Sequence, residues 1–170
     1  STAAGAYTHG VANGTTPPLG PGQLLAHLND ILAPITRGRT FATVFALLVP
    51  RAGVLLRYAS AGHLPAIVLR LDGPADARPS RLRARGEPLG NSPGAVYVEC
   101  EHRVDGPRRI VLHTDGITES EDRHEKVFGA RRLDAVLAKF RGAPAAAAAD
   151  AALGAASRHR AGHPAGDDMT

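Results

Sequence analysis

The strongest constraint on the fold is a pair of apolar segments separated by a short turn. Residues 40–49 are rich in aliphatic and aromatic side chains, residues 50–53 have the composition of a turn, and residues 54–60 form a second apolar segment. Two β-forming segments joined by four turn residues predict an antiparallel β-hairpin. The apolar stretch at 41–49 is far shorter than the roughly 20 residues that a membrane-spanning helix needs. This excludes a membrane span, and the aliphatic and aromatic composition of the stretch predicts a strand.

The rest of the chain predicts further strands and three helices. An amphipathic helix begins at Pro21, has leucine and isoleucine on one face and ends at Pro34. We expect strands at 66–71, 96–104 and 109–114, and loops over 72–95. In the strand at 96–104, Val96 and Val98 alternate with Tyr97 and charged residues, which predicts one buried face. Helices are expected at 130–140 and in the alanine-rich segment 144–158. This order predicts an α+β domain with antiparallel sheets.

The composition excludes several classes of function. The 170 residues include 20 Lys and Arg against 16 Asp and Glu, a net charge of +4. The arginines are scattered and no aromatic side chains are interleaved with them, whereas nucleic-acid binding needs a clustered basic stripe. We therefore expect no nucleic-acid partner. The single Cys100 excludes an internal disulfide and is typical of a reducing compartment, so we expect a cytoplasmic protein. Because no apolar stretch is long enough to span a membrane, we also expect no membrane contact.

Two local patterns resemble known chemical sites but lack the features that those sites need. Residues 90–94 (GNSPG) match a nucleophile elbow, yet no strand precedes Ser92, and Pro93 has no N–H for an oxyanion hole. His159 and His163 have the spacing of metal ligands without a further Cys or His nearby, which favours a polar tail.

Three sites remain as candidates for chemistry. Asp115 directly follows an apolar strand, a position that suits a rigidly held metal ligand, although Asp-Gly is also a common hairpin turn. Asp167 and Asp168 are adjacent carboxylates, and these repel unless a cation or solvent compensates them, so they form either a divalent-metal site or an exposed acidic turn. His63 lies at a break between two strands, where it either reaches a cleft or packs as an ordinary histidine.

Read together, the motifs resemble a known family. They occur in one order along nearly the whole chain: 41–45 (FATVF), 56–65 (LRYASAGHLP), 86–90 (GEPLG), 114–119 (TDGITE), 127–129 (VFG) and 167–170 (DDMT). This series resembles the bacterial SpoIIE/RsbU-type branch of the metal-dependent, protein phosphatase type 2C-like (PPM) serine/threonine phosphatases. The resemblance implies a four-layer αββα sandwich of two antiparallel sheets flanked by helices.

The resemblance also implies a site and a reaction. Asp115 and Asp167 correspond to metal-binding carboxylates, and Asp168 lies beside them as a further contributor. The centre would hold two Mn²⁺ or Mg²⁺ ions that activate a water for attack on a phosphoserine or phosphothreonine. His63 stands where eukaryotic relatives have an aspartate, as a ligand or a proton donor. The implied substrate is a phosphorylated regulatory protein, an anti-sigma-factor antagonist, and sensor or receiver domains would accompany the domain in its parent chain.

The sequence departs from the family pattern at both ends. The first metal motif of the family requires an aspartate near the start of the chain, yet no Asp precedes Asp30, and residues 8–10 do not replace that motif. The last strand of the family would follow Thr170. We therefore expect residues 1–170 to be a fragment of the phosphatase domain that is weakly active or inactive alone. The alternative is a catalytically inactive, phosphatase-like module that binds proteins.

Overall fold

The computed structural model describes residues 19–51, 53–74, 77–164 and 166–170, so residues 8–10 lie outside the described part of the chain. The helices and strands in chain order are α1 (Pro21–Thr36), β1 (Val44–Leu48), β2 (Leu55–Ala61), β3 (Ala66–Arg70), β4 (Ser80–Leu82), β5 (Cys100–Arg103), β6 (Arg108–Val111), α2 (Asp115–Thr118), α3 (Gly129–Lys139) and α4 (Ala145–Arg160). They form two compact units. Unit A contains described residues within 19–65 and 82–105, and unit B contains those within 66–81 and 106–170.

The sheet of unit A contains the predicted hairpin. Strands β1 and β2 pair antiparallel, with Val44 opposite Ala61 and Leu48 opposite Arg57. Strand β5 pairs antiparallel with the other edge of β2, which gives the order β1-β2-β5. Helix α1 contacts β1 and β2. The core of the unit is made of small and apolar side chains: Leu25, Ala46, Ala59, Ala61, Leu89 and Tyr97.

Helix α1 confirms the predicted helix but differs in its end and in its buried face. Pro34 lies inside the helix, which continues to Thr36. The proline removes the N–H that residue 34 would donate to the helix, but it does not end the helix. The side chains of Leu24 and Ile31 are 41% and 51% exposed. The buried stripe instead contains Leu25 and, four residues on, Asn29.

Asn29 is completely buried, and its side-chain amide makes hydrogen bonds to the backbone of the loop that contains Gly90 and Ser92. Its Nδ2 donates to the carbonyl oxygen of Ser92 at 2.9 Å, and its Oδ1 accepts from the N–H of Gly90 at 2.9 Å. The hydroxyl of Thr36 donates to the carbonyl oxygen of Gly90 at 2.8 Å. Polar side chains on α1 therefore fix the loop that follows the GEPLG motif.

The segment before β5 corrects the strand predicted at 96–104. Only residues 100–103 form the strand, and Val96 and Val98 are 81% and 60% exposed, whereas Tyr97 is 5% exposed. A Cβ on Gly86 would lie 2.8 Å from the ring of Tyr97, so this ring packs against a bare backbone. An aromatic ring buries more apolar area than a valine does, which favours the observed face.

Unit B contains the second sheet, with the order β4-β3-β6. Strands β3 and β6 pair antiparallel. Strand β4 lies in the segment predicted as loop, because three residues are too few for a visible alternation. Helices α3 and α4 pack on each other, and the buried residues of α4 are alanines four residues apart. The core of unit B contains Ile67, Leu69, Ile117, Phe128, Leu133, Leu137, Ala152 and Ala156.

Two antiparallel sheets, each with its own helices, confirm the predicted α+β class. Within the described part of the chain, no helix combines the length and the apolar composition needed to cross a membrane.

We predict that Asn29→Leu lowers the free energy of unfolding by about 2–4 kcal/mol, since the buried N–H of Gly90 and the half-buried C=O of Ser92 lose their partners at once. Urea unfolding of the purified protein measures this change. The matched control is His27→Ala, an exposed position on the same helix, which should change the free energy by less than about 0.5 kcal/mol. Equal stability of Asn29→Leu and the wild type would contradict the assigned role of the amide.

Candidate functional site

Asp115 begins a helical turn and not a hairpin. It is the first residue of α2, and its carbonyl oxygen accepts hydrogen bonds from the N–H of Glu119 at 2.7 Å and from the hydroxyl of Thr118 at 3.2 Å. Ile117 anchors this turn in the core of unit B, whereas Asp115 is exposed. The turn alternative for Asp-Gly is thus wrong, and the carboxylate lies on the solvent side of a fixed turn.

Thr114 joins this turn to the end of the chain. Its N–H donates to the carbonyl oxygen of Thr170 at 3.0 Å. Its hydroxyl donates to the carbonyl oxygen of Asp168 at 2.9 Å and accepts from the N–H of Thr170 at 3.1 Å. Thr114 and Asp168 are 54 residues apart in the sequence. The segment 167–170 therefore lies directly beside the residue that precedes Asp115.

Gly116 brings the two backbones into direct contact. A Cβ at this position would lie 2.5 Å from the carbonyl oxygen of Asp168 and 3.3 Å from that of Asp167. Real Cβ atoms do not come so close to a backbone oxygen, so the approach requires glycine. The sequence shows Gly116 only as part of an Asp-Gly pair, and this contact explains it better than a turn does.

Met169 and Ser120 attach the acidic segment, residues 167–170, to the core of unit B. Met169 is half-buried and packs against the core cluster of unit B, while Asp167 and Asp168 on its N-terminal side are exposed. The buried hydroxyl of Ser120 donates to the carbonyl oxygen of Gly116 at 2.6 Å and contacts the sulfur of Met169 at 3.4 Å. The core thus anchors one apolar side chain of the DDMT motif and leaves both carboxylates accessible.

His63 occupies the predicted break between β2 and β3, in unit A, whereas the three aspartates belong to unit B. Its N–H donates to the hydroxyl of Ser60 at 3.2 Å, and that hydroxyl donates back to the carbonyl oxygen of His63 at 3.1 Å. The ring Nδ1 lies 3.3 Å from the hydroxyl of Thr43. Gly62 has a positive φ of 69°, and a Cβ there would lie 2.8 Å from Pro88. The break therefore fixes the backbone of His63 tightly.

An open cleft of about 640 Å³ in unit B lies beside Asp167. Its walls come from α2, the loop after it and the segment before the DDMT motif. The lining residues are Gly116, Thr118, Glu119, Ser120, Glu121, Val127, His163, Pro164, Gly166 and Asp167. The site is accordingly open to solvent and carries several carboxylates.

The order and placement of these motifs agree with a comparison of the chain with known families. Residues 2–170 match the family described as Stage II sporulation protein E (SpoIIE). The chain belongs to the SpoIIE family.

Two solved structures share the fold of this SpoIIE-family chain, and one further protein is similar to it in sequence. The SiaA-PP2C domain of Pseudomonas aeruginosa is 19% identical, with a TM-score of 0.74, over 88% of this chain and 58% of that one. The catalytic domain of the serine/threonine protein phosphatase PstP, in complex with two manganese ions, is 15% identical, with a TM-score of 0.61, over 91% of this chain and 70% of that one. Protein IcfG of Synechocystis sp. is 28% identical over 93 residues, which are 55% of this chain and 14% of IcfG.

The donor chemistry of this SpoIIE-family site fits a hard divalent cation. The carboxylates of Asp115, Asp167 and Asp168 are oxygen ligands, and the close approach at Gly116 adds backbone carbonyl oxygens next to them. Across residues 19–51, 53–74, 77–164 and 166–170, no group of three His, Cys, Asp or Glu side chains converges closely enough to hold a metal ion. The chemistry of the donors fits, and their number in this part of the chain is incomplete.

Sequence reasoning missed Thr114, Gly116 and Ser120 as residues that build the site. Each acts through a contact with the segment 168–170, far away in the sequence. A local pattern carries no signal for such a pairing. The available signal was that Thr114 and Gly116 flank Asp115 directly.

The loop over 119–128 forms part of the wall of the cleft. Within this loop the carboxylate of Asp122 accepts two backbone hydrogen bonds. The Oδ1 of Asp122 accepts from the N–H of His124 at 2.8 Å and from that of Lys126 at 3.1 Å. These bonds, the one from His124 first, hold the pKa of Asp122 below its ordinary value. The carboxylate form therefore stabilises the folded loop above the ordinary carboxyl pKa of about 3.9, and this contribution is lost as the pH falls through the lowered pKa.

We predict that Asp122→Asn reduces the loss of stability between pH 7 and pH 3, because asparagine retains an acceptor oxygen and does not titrate. Urea unfolding of both proteins at several pH values gives the comparison. Parallel stability curves over this range would contradict the prediction.

We also predict that Gly116→Ala lowers the free energy of unfolding by about 1–3 kcal/mol, since the added methyl group must displace the backbone of Asp168. Thermal unfolding measures the loss, and the amide NMR shifts of Asp167 and Asp168 report the displacement. Gly142→Ala is the matched control, because a Cβ at Gly142 meets no atom within 4 Å. Unchanged amide shifts in Gly116→Ala would refute the contact.

Proposed function

We propose that this SpoIIE-family protein is a divalent-metal-dependent phosphatase that hydrolyses phosphoserine or phosphothreonine in a protein substrate. The observation that carries the proposal is the pairing of Thr114 with the segment 168–170. This pairing sets two carboxylate-bearing segments side by side at an exposed edge of unit B. Neighbouring carboxylates repel each other unless a cation or solvent compensates them, so this arrangement favours a bound cation.

In this proposal Asp115 and Asp167 hold the metal ions, and Asp168 contributes beside them. The ions would be Mn²⁺ or Mg²⁺, which prefer oxygen ligands of this kind. When bound, a pair of such ions supplies an activated water and neutralises charge on the phosphoryl group. The family resemblance and the two manganese ions of the similar PstP domain support this choice of metal.

The chain's own residues supply the rigidity that such a centre needs. Ile117 and Met169 anchor the two segments in the core, and the hydroxyl of Ser120 links them. The carboxylates then require little reorganisation when they meet a cation. Among the described residues, no group of three His, Cys, Asp or Glu side chains converges, so the proposal rests on the paired segments and the family resemblance.

His63 is the proposed catalytic residue of unit A, as a ligand or as a proton donor to the leaving group. A neutral imidazole nitrogen can bind a metal ion, and an imidazolium can donate a proton. Two hydrogen bonds with the buried hydroxyl of Ser60 hold its backbone, and its ring Nδ1 lies 3.3 Å from the hydroxyl of Thr43.

The proposed substrate is a phosphorylated regulatory protein of the anti-sigma-factor antagonist class, acting in the cytoplasm. The family resemblance supports the class of substrate. The open cleft beside Asp167 offers room for a segment of a protein chain. A half-buried, unpaired Cys100 is compatible with a reducing compartment.

We predict that Asp115→Asn lowers Mn²⁺-dependent hydrolysis of a phosphoprotein by the full-length protein at least about 100-fold. Losing a metal ligand should cost more than losing a residue that only orients a ligand, which costs about 10- to 100-fold. Release of inorganic phosphate measures the rate.

Asp150→Asn is the matched control, since Asp150 is an exposed aspartate on α4, and it should retain the wild-type rate. If Asp115→Asn is as active as the control, the assigned site is wrong. If the wild-type protein binds its phosphoprotein without hydrolysing it at any Mn²⁺ concentration, the protein-binding module replaces the phosphatase.

A further inference from the structure

We propose that Thr114 is a positioning residue whose hydroxyl fixes the metal-binding geometry of Asp115 relative to Asp167 and Asp168. This inference rests on the proposed metal site. The residue itself touches neither metal nor substrate in the proposal. It acts through the backbone of the segment that carries the other carboxylates.

The first argument is that the hydroxyl of Thr114 is used twice on the same segment. It donates to the carbonyl oxygen of Asp168 at 2.9 Å and accepts from the N–H of Thr170 at 3.1 Å. A hydroxyl offers one donor and two acceptor lone pairs, so a single group can serve both. The N–H of Thr114 adds a third bond, to the carbonyl oxygen of Thr170 at 3.0 Å. A side chain without a donor and an acceptor, such as that of valine, cannot complete this set.

The second argument is that this hydroxyl does not perform its ordinary local role. Thr114 is the N-cap residue of α2, with extended backbone angles, φ −85° and ψ 161°. Threonine at an N-cap usually accepts a hydrogen bond from the N–H of the first turn, and Thr114 makes no such side-chain bond. Its hydroxyl bonds instead to a segment 54 residues away. The local capping bond is given up for a long-range one.

The third argument is the neighbourhood of these bonds. Thr114 immediately precedes Asp115, and its acceptor belongs to Asp168 itself. Removing the hydroxyl frees a carbonyl oxygen and an N–H that lie next to the carboxylates. Both groups are accessible to water, which can satisfy them at a new position of the segment. The fold then survives while the distance between the carboxylates is no longer fixed.

The decisive test compares the affinity of the full-length protein for Mn²⁺ alone, without substrate, in several variants. Electron paramagnetic resonance of free Mn²⁺ gives the dissociation constant. We expect Thr114→Val to weaken binding by about 10- to 100-fold, the usual loss when a residue that orients a ligand is removed. Thr114→Ser retains the hydroxyl, and its affinity should stay within about threefold of the wild type.

Thr36→Val is the matched control for a general loss of stability. The hydroxyl of Thr36 also donates to a backbone carbonyl oxygen 54 residues away, that of Gly90 at 2.8 Å, but in unit A. Its Mn²⁺ affinity should equal that of the wild type. If Thr36→Val weakens Mn²⁺ binding as strongly as Thr114→Val does, the effect is general and the positioning role is refuted.

Two further variants separate the possible failures. If Asp115→Asn binds Mn²⁺ as the wild type does, the proposed metal site fails, and with it the phosphatase. If Asp115→Asn loses Mn²⁺ while Thr114→Val retains it, the metal site stands and the positioning role is overturned.

Should Thr114→Val fail to fold, Thr114→Ala removes the hydroxyl without placing a methyl group against the partner segment. Faster amide exchange at Thr170 in Thr114→Ala than in Thr114→Ser is then expected, and equal exchange overturns the proposal.

Discussion

The contact between residues 114–116 and the segment 167–170 is the constraint on which the candidate site depends. Hydrogen bonds from Thr114 and the bare backbone of Gly116 bring the two segments together, and Met169 secures the second one in the core. Each part is weak, because a single hydrogen bond contributes only about 0.5–1.5 kcal/mol. The geometry that these contacts impose together matters more than the sum of their energies. All of them act to hold acidic side chains at one edge of unit B while the apolar side chains beside them are buried.

Much of the fold could be predicted from the sequence because its signals are local. The hairpin of β1 and β2 has two apolar segments and a turn between them, and α1, α3 and α4 have helical periodicity or high helix propensity. The errors occur where tertiary packing decides the outcome. The core takes up the ring of Tyr97 and leaves the valines around it exposed, which the alternation alone could not decide. Strand β4 is three residues long, and such a strand depends on its partner for its existence.

The candidate site, too, could be predicted from the sequence only in part. Asp115, Asp167, Asp168 and His63 were selected from the sequence, and the structure places the first three on adjoining segments of unit B. Membership of the SpoIIE family follows from residues 2–170. The roles of Thr114 and Ser120 could not be predicted, because a hydroxyl has many local partners in an unfolded chain. Only the folded chain shows that these two hydroxyls bond to carbonyl oxygens that border the acidic segment.

The alanine stripe of α4 has a consequence for how this helix tolerates change. Residues 145–160 look uniform in composition, and alanine loses almost no side-chain entropy on forming a helix. Yet Ala148, Ala152 and Ala156 are buried, while their neighbours on the opposite side face water. Ala156 is completely buried in the same core cluster as Leu133 and Leu137 of α3, so a larger side chain at this position would have to displace core atoms. A segment of almost uniform composition is thus intolerant of larger side chains on one face and tolerant of them on the other.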